Sequence, residues 1–293
     1  MNASLPVGIN PSPKTPYRPT QQAHHNSPRM TLATFAVLIR QAFLQSTVFR
    51  ANYLIGLLSD LLFVYLSIQV WTVLYSNQIL ESGPTTIQLI TYVTLARIVA
   101  PVDMEFVQNM QQRVLSGEIA GELIKPIPLS WFLLAQEVGR YISRLLLRVL
   151  PIALLVFFTI SLSVPDSPIY ILLFVVSIIL SFIIMFSINY ITALAAFWIT
   201  QLFSINVLKG QTVRLLSGIL VPLWFFPAAA LPVIELLPFA SIAFVPIQLF
   251  LEEISIVKAC YSLALQLAWG IIIWQIGRWM WSRAVRQLSI NGG

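Results

Sequence analysis

"YILLFVVSIILSFIIMFSINYITALAAFWIT", residues 170–200, carries no charged side chain. It is too long for one upright helix across a bilayer, since about 20 residues of α-helix cross a hydrocarbon core about 30 Å thick. The run must tilt or continue past the membrane into the cytoplasm. Shorter stretches of the same kind recur along the chain. Its 293 residues are 58% hydrophobic and 10% charged, against roughly 45–50% and about 25% in soluble domains. The composition predicts an all-α polytopic membrane protein, so length counts spans and not soluble domains.

Working outward, the apolar pattern predicts six transmembrane helices: about 53–75, 86–106, 145–164 and 170–200, one that starts near Leu208 and becomes proline-rich, and about 257–279. Before them, residues 31–50 place Leu32, Phe35, Leu38, Phe43 and Val48 at helical spacing, interrupted by Arg40 and ended by Arg50. That pattern spans poorly and predicts an amphipathic helix lying in the inner interface. Residues 1–30 hold Pro6, Pro11, Pro13, Pro16, Pro19 and Pro28 with almost no apolar clusters. Such a segment buries too little surface to offset its ordering entropy, and a disordered cytoplasmic tail is expected. It lacks the apolar core of a signal peptide. The expected organisation is a tail, 1–30, and one six-span domain, 31–288.

Charge orients the chain. With both termini inside, every basic residue except Arg97 and Lys258 falls in an inner segment or at an inner span end. The outer side then collects Glu81, Asp166, Glu235, Glu252 and Glu253, as the positive-inside rule requires. A multi-pass protein of the cell membrane with cytoplasmic termini is expected. Basic residues scattered between spans suit a lipid headgroup layer and not nucleic acid.

Several chemistries lack their residues. Cys260 is the single cysteine, and His24 and His25, both in the tail, are the only histidines. Cysteine or histidine metal clusters and intramembrane histidine catalysis are therefore excluded. The chain has no D-D-x-x-D carboxylate cluster, no G-x-S-x-G elbow and no G-x-x-x-x-G-K-[ST] phosphate loop. It is not expected to be an enzyme or to carry a cofactor. If ATP and magnesium drive it, another chain binds them.

Between the second and third spans lies "FVQNMQQRVLSGEIAGELIK", residues 106–125. Phe106, Met110 and Val114 share one helical face, and Ile119 and Leu123 repeat the spacing after Gly117, with Glu118 and Glu122 beside them. Two short amphipathic turns joined at a glycine can lie across the span ends and offer a charged edge to the cytosol. A solvated inner loop is the plainer alternative.

The proline-rich stretch "GILVPLWFFPAAALPVIELLPFASIAFVP" carries Pro222, Pro227, Pro232, Pro238 and Pro246. One straight helix cannot hold that spacing, because each interior proline removes a hydrogen bond and clashes with the turn before it. A re-entrant or outer helical pair ending near Glu252 is expected, with a kinked helix and long outer loop as the alternative. Asp60 and Arg97 fall at similar depth on consecutive antiparallel spans, about 12–13 Å from the inner edge. Ionisable groups at such depth pair or face a cavity, so an Asp60–Arg97 pair is expected, with a role along a substrate path as the other reading. "WQIGRWMWSR", residues 274–283, reads as an aromatic and basic anchor at the inner interface.

This order of elements resembles the type-2 permeases of ATP-binding cassette (ABC) transporters. The features shared are an interfacial helix, six spans, "GEIAGELIKPIP" between the second and third, and "PFASIAFVP" before the last. The resemblance covers about residues 31–288. It implies a coupling helix at about 111–124 that docks into a separate nucleotide-binding ATPase subunit. Arg113, Glu118, Glu122 and Lys125 would supply its charge, Gly117 its joint, and Ile119, Leu123 and Ile124 its tie to the spans. It also implies an outer gate around Pro227, Pro232, Pro238 and Pro246, and a second permease chain, identical or paralogous, with membrane lipid around the pair. The expected activity is export of a hydrophobic or amphipathic compound. A lipid-linked substrate flippase and a non-catalytic scaffold protein are the alternatives.

Overall fold

The computed structural model describes residues 32–47, 50–76, 85–99, 105–123, 127–159 and 163–291. The tail at 1–30, Glu81, Asp103, Ile124 and Lys125 lie outside these. Every regular element among the described residues is helical: α1 (Leu32–Thr47), α2 (Arg50–Ser76), α3 (Thr86–Val99), α4 (Glu105–Leu115), α5 (Glu118–Leu123), α6 (Leu129–Arg144), α7 (Leu150–Thr159), α8 (Pro168–Leu194), α9 (Phe203–Leu216), α10 (Leu231–Leu236), α11 (Phe244–Phe250) and α12 (Ile256–Asn291). A π turn, Leu145–Val149, joins α6 to α7.

The hub is α8. Pro168 sits at its first turn, where the missing N–H has no intrahelical partner to lose. Its C-terminal half then buries Ile184, Met185, Phe186, Tyr190, Ala193 and Leu194. α12 packs along it, and α11 and α4 lie against other parts of its surface.

Among the described residues, four helical runs are long and apolar enough to cross a membrane: Leu54–Val73, Leu129–Phe158, Pro168–Phe197 and Ile256–Arg286. α3 and α9 have 14 residues each, about 21 Å at about 1.5 Å per residue, which is shorter than the hydrocarbon core. The expected second span ended at Phe106. Residues 100–104 lie outside the described part, and Phe106 itself already belongs to α4.

The third span needs correction. Its helix does not begin near Leu145 but at Leu129, and runs through the π turn to Thr159. Glu137, Arg140 and Arg144 make 129–144 look like a polar lead-in, yet Leu129, Leu133, Ala135, Gly139 and Ser143 are buried. α1 packs along α6, and Gly139 is where they come closest: a Cβ there would run into the carbonyl of Ile39 and the side chain of Ala42. Arg140 meanwhile pairs with Glu137, so the polar face neutralises itself.

After α9 the chain never regains a long helix until Ile256. A 3-10 turn at Leu223–Phe225, the six residues of α10 and the seven of α11 follow in sequence. The prolines set those breaks. Pro222 caps the 3-10 turn, Pro232 lies in the first turn of α10, and Pro246 in the first turn of α11.

Candidate functional site

Three groups of residues singled out from the sequence occupy three separate places. The first is the elbow between α4 and α5. Phe106, Val107 and Met110 of α4 are buried against Phe186, Tyr190, Ala193 and Leu194 of α8. Asn109 and Gln112 of α4 are not. The helix stops where Ser116 N–H donates to the Gln112 carbonyl (2.8 Å) and Gly117 turns at φ 78°. That left-handed conformation favours glycine, because positive φ is strained for a residue with a side chain even where the space is open. Over residues 111–123 the helix is therefore broken at Gly117, with the end of α4 before it and α5 after it.

Beyond the turn, Ile119 is 1% exposed and joins the same core. The Arg113 Nη1 to Glu122 Oε1 ion pair, 2.9 Å, closes the elbow from its polar side. Glu122 is therefore engaged within the elbow, whereas Glu118 is exposed. It lines an open polar recess with Asn109, Gln112, Arg113 and Ser116. Gln111 reaches the other way and donates to the carbonyl of Thr200, at the end of the α8 segment. A push on α5 would pass through Ile119 and the ion pair into α4, and from there into α8. The backbone of Leu123 ends α5.

The second group is ionic. Arg97 of α3 donates from Nε to Asp60 Oδ1 (2.9 Å), and its Nη2 lies 2.7 Å from the same oxygen. Its guanidinium also stands 4.6 Å over the ring of Phe63, a cation–π contact one turn along α2. The other carboxylate oxygen is taken by Arg148, with Nη2 2.6 Å from Oδ2. Arg148 comes from the π turn. Its guanidinium occupies the space a side chain at Gly56 would fill, 2.7 Å from the Cβ position there. The expected pair is thus a cluster of one carboxylate and two guanidiniums from three helices.

The charge pattern of the sequence counts Arg148 among the basic residues of inner segments and inner span ends. The signal that would have moved it is the start of α6 at Leu129, which puts Arg148 well inside the apolar run ending at Phe158. Arg148 Nε is buried with no acceptor among the described residues.

The third group is the segment from Gly218 to Ser255. Tyr92 of α3 donates to the Gly218 carbonyl (3.0 Å), and Trp71 of α2 stacks on Phe225 at 4.8 Å between centroids. A wholly buried polar knot ties the segment to α8 and α12. Gln266 Nε2 donates to the Ser241 carbonyl (2.6 Å), Ser177 Oγ donates to Gln266 Oε1 (3.0 Å), and Ser181 Oγ donates to the Ser241 carbonyl (2.8 Å). Of the prolines, Pro227 and Pro232 are exposed, Pro238 is half-buried and Pro246 is buried. Glu253 ends the segment, and burial pushes its carboxyl up to about 7. No residue-type signal pointed to Gln266, which reads as an ordinary polar residue within the last span.

The expected anchor at 274–283 divides. Trp274 packs into an aromatic cluster with Trp131, Phe186 and Tyr190, while Trp279 is exposed under the Arg283 guanidinium, 4.7 Å from its ring centroid.

Residues 61–292 match the family described as ABC-2 family transporter protein, which covers most of the chain and includes the elbow, the proline-broken segment and the aromatic anchor. No curated protein matches the chain.

Proposed function

The chain belongs to the ABC-2 transporter family, and from that premise we propose that it is the permease half of an exporter driven by ATP bound and hydrolysed on a separate subunit. The observation that carries this reading is the α4–α5 elbow. A docking element must be stiff along its length, tied to the moving spans and charged where it meets its partner. Here Phe106, Val107, Met110 and Ile119 make the tie, the Arg113–Glu122 pair makes the stiffness, and Glu118 offers the free charge. This chain then carries no catalytic residue and no cofactor, and ATP with magnesium stays on the partner.

A path through the membrane needs walls on every side. α2 supplies an apolar face with little of this chain against it: Leu54, Leu58, Leu62 and Tyr65 are each more than half exposed. A second permease chain, identical or paralogous, would cover part of that face. The Gly218–Ser255 segment, tied to α8 and α12 by the knot, is read as an outer gate, which supports export with entry from the cytoplasmic side or the inner leaflet. The cargo is hydrophobic or amphipathic, both termini are cytoplasmic, and α3 and α9 belong to the second and fifth of six crossings.

The test is a pull-down of the tagged chain in mild detergent, with mass spectrometry of its partners, repeated for Glu118→Lys. An ATPase subunit should co-purify with the wild type and be depleted at least several-fold for the variant, with unchanged permease yield. Recovery without any ATPase would remove the permease reading, and equal ATPase recovery for both proteins would remove Glu118 from the dock.

A further inference from the structure

The Asp60 cluster is charged beyond its own balance. Two guanidiniums share one carboxylate, leaving one net positive charge, and among the described residues no second acid reaches either arginine. The arginine side chains are about a third exposed (33% for Arg97 and 31% for Arg148), whereas Asp60 is 13% exposed. The carboxylate is thus turned inward and the surplus charge outward. The cluster adjoins an apolar seam in which Val64 of α2 is buried against Ile152 and Val156 of α7, with Leu57 and Leu61 beside them. A surplus guanidinium among apolar helices is costly unless it meets water or an anion. The planar fork matches an oxyanion with two acceptor oxygens.

We propose that Arg97 and Arg148 bind the oxyanion headgroup, phosphate or carboxylate, of an amphipath whose apolar tail lies along the membrane-facing surface beside them. Asp60 acts as the positioning residue that aims both guanidiniums from one anchor. Phe63 supports Arg97 from below its plane, and Gly56 leaves the room that Arg148 needs. Each arginine spends at most two of its five N–H donors on Asp60, so donors remain for a ligand. The inference rests on the permease reading for its transport consequence but not for the site itself. The same headgroup chemistry has two sources, an anionic phospholipid resident in the membrane and an anionic amphipath being exported.

The experiment uses the purified full chain in a neutral detergent. Thermal melting is followed as decyl phosphate is added, with decanol as the uncharged control, and as dioleoyl phosphatidylglycerol is added, with dioleoyl phosphatidylcholine as the control. The anionic probes should raise Tm and the neutral ones should not. Arg148→Gln leaves a balanced Asp60–Arg97 pair, so it should still melt cooperatively, and it should weaken the half-saturating probe concentration by at least tenfold. Arg148→Lys keeps the charge without the fork and should fall between the two. An equal response to charged and neutral probes in the wild type, or an undiminished response in a cooperatively melting Arg148→Gln, would overturn the site.

Phosphatidylglycerol that binds the delipidated chain at about one per chain, survives detergent exchange and shows no ATP-dependent movement identifies a resident lipid. Displacement by decyl phosphate, with ATP-dependent movement of that probe in vesicles holding the permease and its ATPase, identifies cargo. Both outcomes support the oxyanion site. ATPase co-purification with Arg148→Gln should match wild type. If no ATPase is found while the Arg148-dependent shift persists, the permease reading falls and the site stands; if the ATPase is found and the shift is not, the reverse holds.

Discussion

The α8 side and the α2 side of this molecule face the same apolar surroundings with unequal internal packing. Of α8's membrane-length stretch 33% is buried inside the chain, against 11% of α2's. The polar chemistry differs in the same sense. Around the middle of α8 the buried polar groups form a neutral knot, in which Gln266, Ser177 and Ser181 bond one another and the Ser241 carbonyl. A charged donor, Lys209 Nζ of α9, meets α8 nearer its C-terminal end, at Asn189 (2.6 Å). Around α2 they are ionic and out of balance, with one carboxylate holding two guanidiniums. A neutral knot gives a frame a fixed geometry. An unbalanced ionic cluster beside an exposed apolar face leaves interactions open to a ligand or a second chain. The two sides meet in few places, among them the Trp71–Phe225 stack and the Tyr92 bond to Gly218.

The sharpest way to break this contrast is Asp60→Ala. It strands two guanidiniums at once, and removing one partner of a buried ion pair typically costs about 3–5 kcal/mol. The loss should exceed that from any single change in the α8 knot. Adding Arg97→Gln and Arg148→Gln to Asp60→Ala removes the stranded charge and should restore much of the melting temperature. Detergent melting of the wild type, Asp60→Ala, Arg97→Gln with Arg148→Gln, and the triple variant closes the cycle, and strictly additive losses would mean the three side chains do not act as a unit.

A smaller effect is expected from Gln266→Leu. Three hydrogen-bonding groups lose their shared partner, although membrane hydrogen bonds average only about 0.6 kcal/mol each. The expected loss is about 1–2 kcal/mol, without change in oligomeric state. Because the knot ties Ser241 to α8 and α12, protease cleavage within residues 218–255 should accelerate in the variant. Unchanged cleavage would show that the Gly218–Ser255 segment is held by apolar packing alone.

Smaller again is a pH dependence confined to the Gly218–Ser255 segment. Burial raises the Glu253 carboxyl from 4.5 to about 7, so the folded state binds this proton more tightly than the unfolded chain. Stability from this group is greatest below about pH 4.5, falls as pH rises toward 7 and levels off above it. The group is partly solvated, so the shift in Tm between pH 5 and pH 8 should be a few degrees at most. Glu253→Gln should flatten that part of the profile, whereas a slope retained in the variant would assign it to another group.

What the sequence made legible follows from periodicity and depth. The uncharged run at 170–200 marked α8 because apolar length is the dominant signal in lipid. Counting residues along two antiparallel spans put Asp60 and Arg97 at one level, where their side chains meet. The proline spacing marked the region where a long helix fails, since proline acts on its own local backbone. Three features escaped for a common reason: each depends on a partner distant in sequence. α6 reads as polar until α1 is laid against it. Arg148 reads as an inner-end charge until that helix is extended back to Leu129. Gln266 has no periodic signature, and its role exists only where Ser177, Ser181 and Ser241 converge. Residues 111–123 divide at Gly117 between two helices, and the ion pair across that joint links Glu122 to a residue on the preceding helix.

The smallest expected effect on the folded chain tests the other half of the comparison. Leu58 and Leu62 of α2 are 65% and 58% exposed, so Leu58→Ser with Leu62→Ser removes almost no internal packing. Exposed substitutions usually stay within about 0.5 kcal/mol each, and the melt of the isolated chain in detergent should hardly move. If α2's face is covered by a second permease in the membrane, the same pair should still lower the dimer yield, because serine hydroxyls gain no partner there and two leucine contacts are lost. Disulfide crosslinking reads this out on a Cys260→Ser background, with single cysteines at Leu54 and Tyr65 flanking the changed positions. The wild-type face should give a permease–permease crosslink at one or both sites, reduced several-fold by the double serine change. No crosslink at either site, with free labelling of both cysteines from the lipid phase, would leave α2 as a lipid-facing helix. The contrast would then reflect where each helix sits in the bundle and not where a second chain docks.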